Sequence, residues 1–160
     1  MVKLRPLRAA DAVLIARFIR TMASDFGGTS CATAAQLKQH CLGPQRLALV
    51  TVATLAGQPV GYIMVRDWMN FDRGAKIRHI QQLYVAAPLR RHGIAQALLR
   101  HTAQQALAAG CCRLILDVGK KNPQALRLYQ GLGFERYSGT LVRHDLPETG
   151  LRQLAKHARD

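Results

Sequence analysis

The residues best placed to do chemistry fall in one stretch, YVAAPLRRHGIAQALL at 84–99. An apolar run leads into it, a helical period of small apolar residues leaves it, and Arg90, Arg91, His92 and Gly93 stand at the junction. The first turn of a helix carries unpaired amide N–H groups and a partial positive charge, so a strand-to-helix junction of this composition can hold a pyrophosphate. Gly93 lets the backbone approach an anion, the small side chain of Ala95 keeps a second approach open, and the three basic residues add charge. No G-K-[ST] follows and only one glycine is present, which excludes a Walker A loop and the dinucleotide fingerprint. Taken alone, a basic helix start is more often structural than functional, because cations are common on exposed helices.

The remaining chemistry-bearing types exclude more than they assign. Cys31, Cys41, Cys111 and Cys112 form no C-x-x-C pair and stand beside no histidines at zinc-ligand spacing, so they read as reduced thiols and no metal is expected. His40 and Cys41 are adjacent, and neighbouring helical side chains point about 100° apart. The formal charge is +14, with arginine supplying 17 of the 23 basic residues. Arginine's planar fork suits phosphate, so nucleic acid, a phosphorylated cofactor or an acidic surface would each account for the charge. A solvated basic surface accounts for it equally. No run of about 18 apolar residues occurs and the N-terminus has no signal-peptide pattern, so a cytoplasmic protein that does not enter membranes is expected.

The elements that must position the junction follow from periodicity. Residues 2–5 alternate as a first strand ending at Pro6, and Asp11 caps a helix whose apolar positions are Ala12, Leu14, Ile15, Phe18, Ile19 and Met22. After a glycine-rich loop at 24–30, a short helix is predicted over 34–41. Strands at 46–55 and 60–66 form a hairpin around AGQP, and a loop at 67–75 precedes a long strand over 76–85. A helix follows to Gly110, then a strand at 113–118. Another helix begins at Asn122 with Pro123 in its first position, and strands at 134–137 and 140–146 close the chain. At 160 residues this is one mixed α/β domain over 1–146, with a basic tail over 147–160 that either docks as a short helix or frays.

In these residues the chain resembles the GNAT superfamily of N-acetyltransferases. Its signature [QR]-x-x-G-x-[GA] is matched by Arg90, Gly93 and Ala95, five residues and more after the strand-ending Val85, and a second pattern, N-x-x-A-x-x-x-Y-x-x-x-G-F, by Asn122, Ala125, Tyr129, Gly133 and Phe134. The resemblance implies a mixed, mostly antiparallel twisted sheet of about 6–7 strands with about 4 helices. It also implies that the fourth and fifth strands splay apart around acetyl-CoA. In that arrangement the amides of Arg91, His92, Gly93, Ile94 and Ala95 would hold the pyrophosphate. The backbone of Leu83, Tyr84 and Val85 would pair with the pantetheine arm, Asn122 would bond its amide within the segment that includes Ala125, and Tyr129 would sit at the thioester sulfur.

Acetyl transfer to a primary amine needs a neutral amine and benefits from a proton donor to the departing thiolate, whose pKa is about 8.5. Tyr129 suits the donor role. Many relatives carry a glutamate on the fourth strand; this chain has none before Phe134. It has His79 and Gln81 instead, and simple alternation places 79, 81, 83 and 85 on one face. His79 as base, directly or through water, stands beside water alone accepting the proton. Phe26, Trp68 and Phe71, near Asp25, Asp67 and Asp72, would line a substrate site for an ammonium-bearing acceptor, or would cover the core edge. The expected partners are thus a small-molecule acyl donor and an amine acceptor, which could be a small amine or a protein N-terminus or lysine. A homodimer is compatible with the sequence. A nucleic-acid or ribosome-associated module on the same fold, an acceptor amine carried on tRNA, and transfer of a longer acyl group are the alternatives.

Overall fold

The computed structural model describes residues 1–119 and 122–136. Five strands form one sheet in sequence order, β1 (Lys3–Pro6), β2 (Leu49–Leu55), β3 (Gln58–Asn70), β4 (Ala75–Val85) and β5 (Arg113–Leu116). The first four are antiparallel to their neighbours, and β5 runs parallel to β4. Four α-helices accompany them: α1 (Ala12–Asp25), α2 (Ala34–Cys41), α3 (Ile94–Ala108) and α4 (Pro123–Gly131). This is the mixed, mostly antiparallel α/β fold expected, with fewer strands among the described residues. Phe134, Glu135 and Arg136 are not in a strand, while Tyr137 and the strand predicted over 140–146, like the tail over 147–160, lie outside the described residues.

Strand pairing sorts the apolar residues onto two faces. Val50 and Val52 pair with Met64 and Tyr62, and Tyr62 pairs with Tyr84, so these share one face. That face packs on Ile15, Ala16 and Ile19 of α1 and Leu37 and Cys41 of α2. Ile63, Val65 and Ile80 occupy the other face, the side left to Leu98 and Leu99 of α3. Removing a side chain such as the fully buried Ile15 would cost about 2–5 kcal/mol.

Several local expectations are corrected by tertiary partners. Asp11 does not cap α1 through its side chain; its carboxylate accepts from Arg5 at 2.6 and 2.8 Å and from the Arg8 amide at 2.8 Å. The loop predicted over 67–75 is largely strand, since Asp67, Trp68, Met69 and Asn70 pair with Arg78, Ile77, Lys76 and Ala75. Pairing overrides their weak apolar pattern. In α2, Thr33 accepts from the Gln36 amide at 3.2 Å while Gln36 Oε1 accepts from the Thr33 amide at 2.9 Å, a capping box that fixes its start.

The chain divides into two compact units, Met1–Pro123 and Gln124–Asp160. The first holds the sheet and α1–α3. In the second, α4 ends at a turn in which Gly133 has φ +85° and the amides of Leu132 and Phe134 both donate to Tyr129 O.

Candidate active site

The strand-to-helix junction gathers backbone donors in a few consecutive residues. After β4 a short 3-10 turn, Ala87–Leu89, leads to Arg90 at φ −68°; φ is then +67° at Arg91, negative at His92 and +77° at Gly93. Such alternation turns successive N–H groups toward one side, which favours an anion. The first intrahelical bond of α3 here is Ala97 N to Gly93 O at 2.9 Å, so the amides of Ile94, Ala95 and Gln96 precede it and lack helical acceptors. A Cβ on Gly93 would meet nothing within 4 Å; glycine is needed there for its positive φ, and the space above it is open.

Arg90 braces this loop. Its Nε donates to Val85 O at 3.0 Å, its Nη2 donates to Asp25 Oδ2 at 2.9 Å, and its guanidinium lies 5.6 Å from the Tyr84 ring centroid. His92 Nδ1 sits 2.8 Å from Arg90 O, while Arg91 and His92 are exposed. The donors and charge present therefore fit a pyrophosphate, with Arg91 as an exposed cation and His92 as an exposed polar side chain beside it.

β4 changes character partway along. Met64 pairs with Gln82 and Val65 with Ile80, leaving Gln81 as an extra, bulged residue. Pairing with β5 covers only Ile77 to Ile80, so residues 81–85 present a backbone edge with no paired strand among the described residues. That edge runs about 16 Å from the bulge toward the cradle. A chain bearing amides can add to such an edge as a strand would. Gly61 allows β3 and β4 to meet closely behind it, since a Cβ there would lie 2.7 Å from Tyr84 O.

The bulge also overturns the expectation that residues 79, 81, 83 and 85 share a face. One extra residue reverses the alternation beyond it. His79 shares its face with Gln82 and Tyr84, whereas Leu83 and Val85 share the opposite face with Ile80. His79 is 15% exposed, and its Nε2 lies 3.4 Å from Asp117 Oδ2, just past the end of β5.

On this same face a cavity of about 300 Å³ opens between α1, α2 and the sheet, lined in part by Ile19, Leu37, Met64 and Gln82 and by Ser30, Ala32 and Thr33 of the α1–α2 loop. Gln82 Oε1 accepts from the Tyr62 hydroxyl at 3.0 Å. Sequence reasoning chose Gln81, which is exposed, and missed Gln82; only the Gln81-Gln82 doublet hinted at the choice. The predicted aromatic residues are divided. Phe26 follows the Asp25 that holds Arg90, at the Val85 end, whereas Trp68 pairs with Ile77 and Phe71 lies in the turn after β3, about 25 Å away along β4. All three are exposed, at 64%, 40% and 85%.

In α4, Tyr129 and Phe134 stack edge-on with centroids 5.5 Å apart, and burial pushes the Tyr129 phenol above its ordinary pKa. The phenol is thus a protonated donor at neutral pH. Asn122, the residue before α4, donates its amide to Gly119 O at 3.0 Å, and Ala125 lies partly buried in the first turns of α4.

The acetyltransferase (GNAT) family profile matches residues 17–134, and the chain belongs to that family. Among curated proteins it is 34% identical over 85 residues to N-acetyltransferase family 8 member 2 of Rattus norvegicus, covering 53% of this chain and 38% of that one. It is 33% identical over 79 residues to N-alpha-acetyltransferase 30 of Saccharomyces cerevisiae, covering 49% and 44%. The chain thus spans less than half the length of these relatives. A solved ribosomal-protein-alanine N-acetyltransferase from Brucella melitensis biovar Abortus 2308 superposes with a TM-score of 0.73 at 23% identity, covering 89% of this chain and 99% of that one. The resemblance read from the two motifs holds at family level, and the chain is an acetyltransferase domain. Among the described residues no helix is long and apolar enough to cross a membrane.

Proposed function

We propose that this protein transfers the acetyl group of acetyl-CoA to a primary amine by direct attack in a ternary complex. The observation that carries this reading is the edge of β4 beyond the Gln81 bulge, unpaired among the described residues, which runs into the donor cradle at Arg91, His92 and Gly93. A pyrophosphate in that cradle and a two-amide arm along Leu83, Tyr84 and Val85 bring a thioester to the bulge, beside His79. Ile94 and Ala95 complete the cradle with first-turn amides, Arg90 holds its shape, and Asn122 and Ala125 complete the cofactor segment. His79 accepts the amine's proton, and Asp117 stabilises the imidazolium that results. The family resemblance gives Tyr129, whose phenol burial keeps protonated, the role of returning a proton to the thiolate. Phe26 stands at the cradle end as a covering residue, while Trp68 and Phe71 flank the far end of β4 and Gln81 shapes the bulge.

Free thiols at Cys31, Cys41, Cys111 and Cys112 fit a cytoplasmic location. Calorimetric titration with acetyl-CoA, with desulfo-CoA as control, tests the reading. Micromolar, salt-sensitive binding is expected, and absence of binding would remove it. A second reading, polyanion binding, is favoured by one observation: Arg8, Arg17 and Arg20 line one groove of about 560 Å³ beside Gly57, Gln58 and Pro59. Titration of labelled RNA at rising salt separates the two, since only the second reading expects a shift without acetyl-CoA.

A further inference from the structure

The cavity beside Gln82 carries information about the acceptor that the family does not. Its floor is apolar, from Ile19, Leu37 and Met64; Gln36 and His40 also line it, and among the described residues no carboxylate does. Four of the described carboxylates are instead paired with other side chains: Asp11 with Arg5, Asp25 with Arg90, Asp67 with Arg78, and Asp117 with His79. In a chain of formal charge +14, a second ammonium on the acceptor would therefore enter the cavity without a counter-charge.

Gln82 supplies the polar information. Tyr62 is fully buried and desolvation pushes its hydroxyl pKa far up, so it acts as a donor and holds Gln82 Oε1 at 3.0 Å. With the amide oxygen occupied, what Gln82 offers the cavity is its pair of N–H donors. The bulge sets Gln82 and His79 on the same face, about 7–10 Å apart along the strand. A group bonded by Gln82 is thus held a few bonds from an amine that His79 can reach.

We infer that the acceptor is a primary amine with an uncharged, apolar body that fills this cavity and a carbonyl oxygen close to the amine that Gln82 recognises, as in an apolar α-amino amide. This rests on the acetyl-transfer reading and deepens it, with Gln82 as the specificity-determining residue.

Initial rates with acetyl-CoA and three amines test it: leucinamide, 3-methylbutylamine, which has the same body without the carbonyl, and lysinamide, which adds a second cation. Leucinamide is expected to exceed each of the others in kcat/KM by about tenfold or more. Gln82→Leu is expected to erase the preference over 3-methylbutylamine while leaving acetyl-CoA affinity unchanged, at some loss of melting temperature as the buried Tyr62 hydroxyl loses its partner. The near-isosteric Gln82→Glu is expected to shift preference toward lysinamide by restoring a counter-charge, and it keeps the test alive where the leucine variant folds poorly. Preference for lysinamide in the unmodified protein, unchanged ratios in both variants, or no turnover of any of the three with acetyl-CoA bound would overturn the acceptor assignment alone. Failure to bind acetyl-CoA would overturn the acetyl-transfer reading with it.

Discussion

From Ala75 to Ile80, β4 is paired on one side with β3 and, through its last four residues, on the other with β5, and it is pinned by Arg78, which is 2% exposed and forks onto Asp67 at 2.7 and 2.9 Å. From residue 81 to 85 the same strand has, among the described residues, one bonded edge, a bulge and no ion pair on its own side chains. The first half is a fixed base whose loss would unfold the sheet; the second leaves backbone donors and acceptors for something else to satisfy. Stability and binding capacity are thus separated along a single strand, with Gln81 at the border.

Four experiments would break or sharpen that contrast. The largest effect is expected from Asp67→Ala, which strands a buried guanidinium whose Nη1 already lacks a partner among the described residues. It should cost about 3–5 kcal/mol in chemical denaturation. Arg78 holds the Asp67 carboxyl below its ordinary pKa. Its contribution is therefore complete above the unfolded carboxylate value of about 3.9 and is lost as pH falls through the lower folded value, so the acid limb of the wild-type stability curve should flatten in the variant. A comparable loss of stability from changes in the second half would erase the distinction.

Deleting Gln81 should remove the bulge and leave His79 and Gln82 on one face as i, i+2 neighbours, about 3 Å closer along the strand. Turnover is expected to fall about a hundredfold with most of the stability retained, and near-normal turnover would show that the bulge does not position the site. Gly93→Ala, which forces a Cβ into φ +77°, should cost about 1 kcal/mol of stability and weaken acetyl-CoA binding several-fold by calorimetry. The smallest effect belongs to Asp117→Asn. Asp117 is 72% exposed, so its pairing with His79 is well screened. Turnover should fall about two- to threefold while KM for acetyl-CoA stays constant, because the imidazolium formed at His79 loses its counter-charge; an unchanged turnover would remove Asp117 from the mechanism.

Much of the site's local construction was legible in the residues themselves. The turn at 90–95 was readable because a positive φ at a helix start selects glycine, a property of a few consecutive residues. The second motif is equally local: Gly133 supplies the turn after α4, and Phe134 stacks on Tyr129. By contrast, the extension of β3 through Asp67, Trp68, Met69 and Asn70 was hidden, because its polar and aromatic residues carry no clear strand period until β4 pairs with them. The face of every residue beyond Gln81 was hidden for a related reason. Gln81 and Gln82 are the same residue type, and nothing in either says which one the ladder will leave out.

By itself, then, the sequence determined the family, the order of elements as far as α4 and the basic, glycine-bearing start of α3, all of which depend on neighbours within about a turn or a strand. Only the tertiary structure decided that Arg90 is spent on Asp25, that Phe26 and Phe71 lie at opposite ends of β4, and that Gln82 rather than Gln81 faces the cavity. Register is a relation between two strands, and a one-residue bulge reverses it without changing the composition of either.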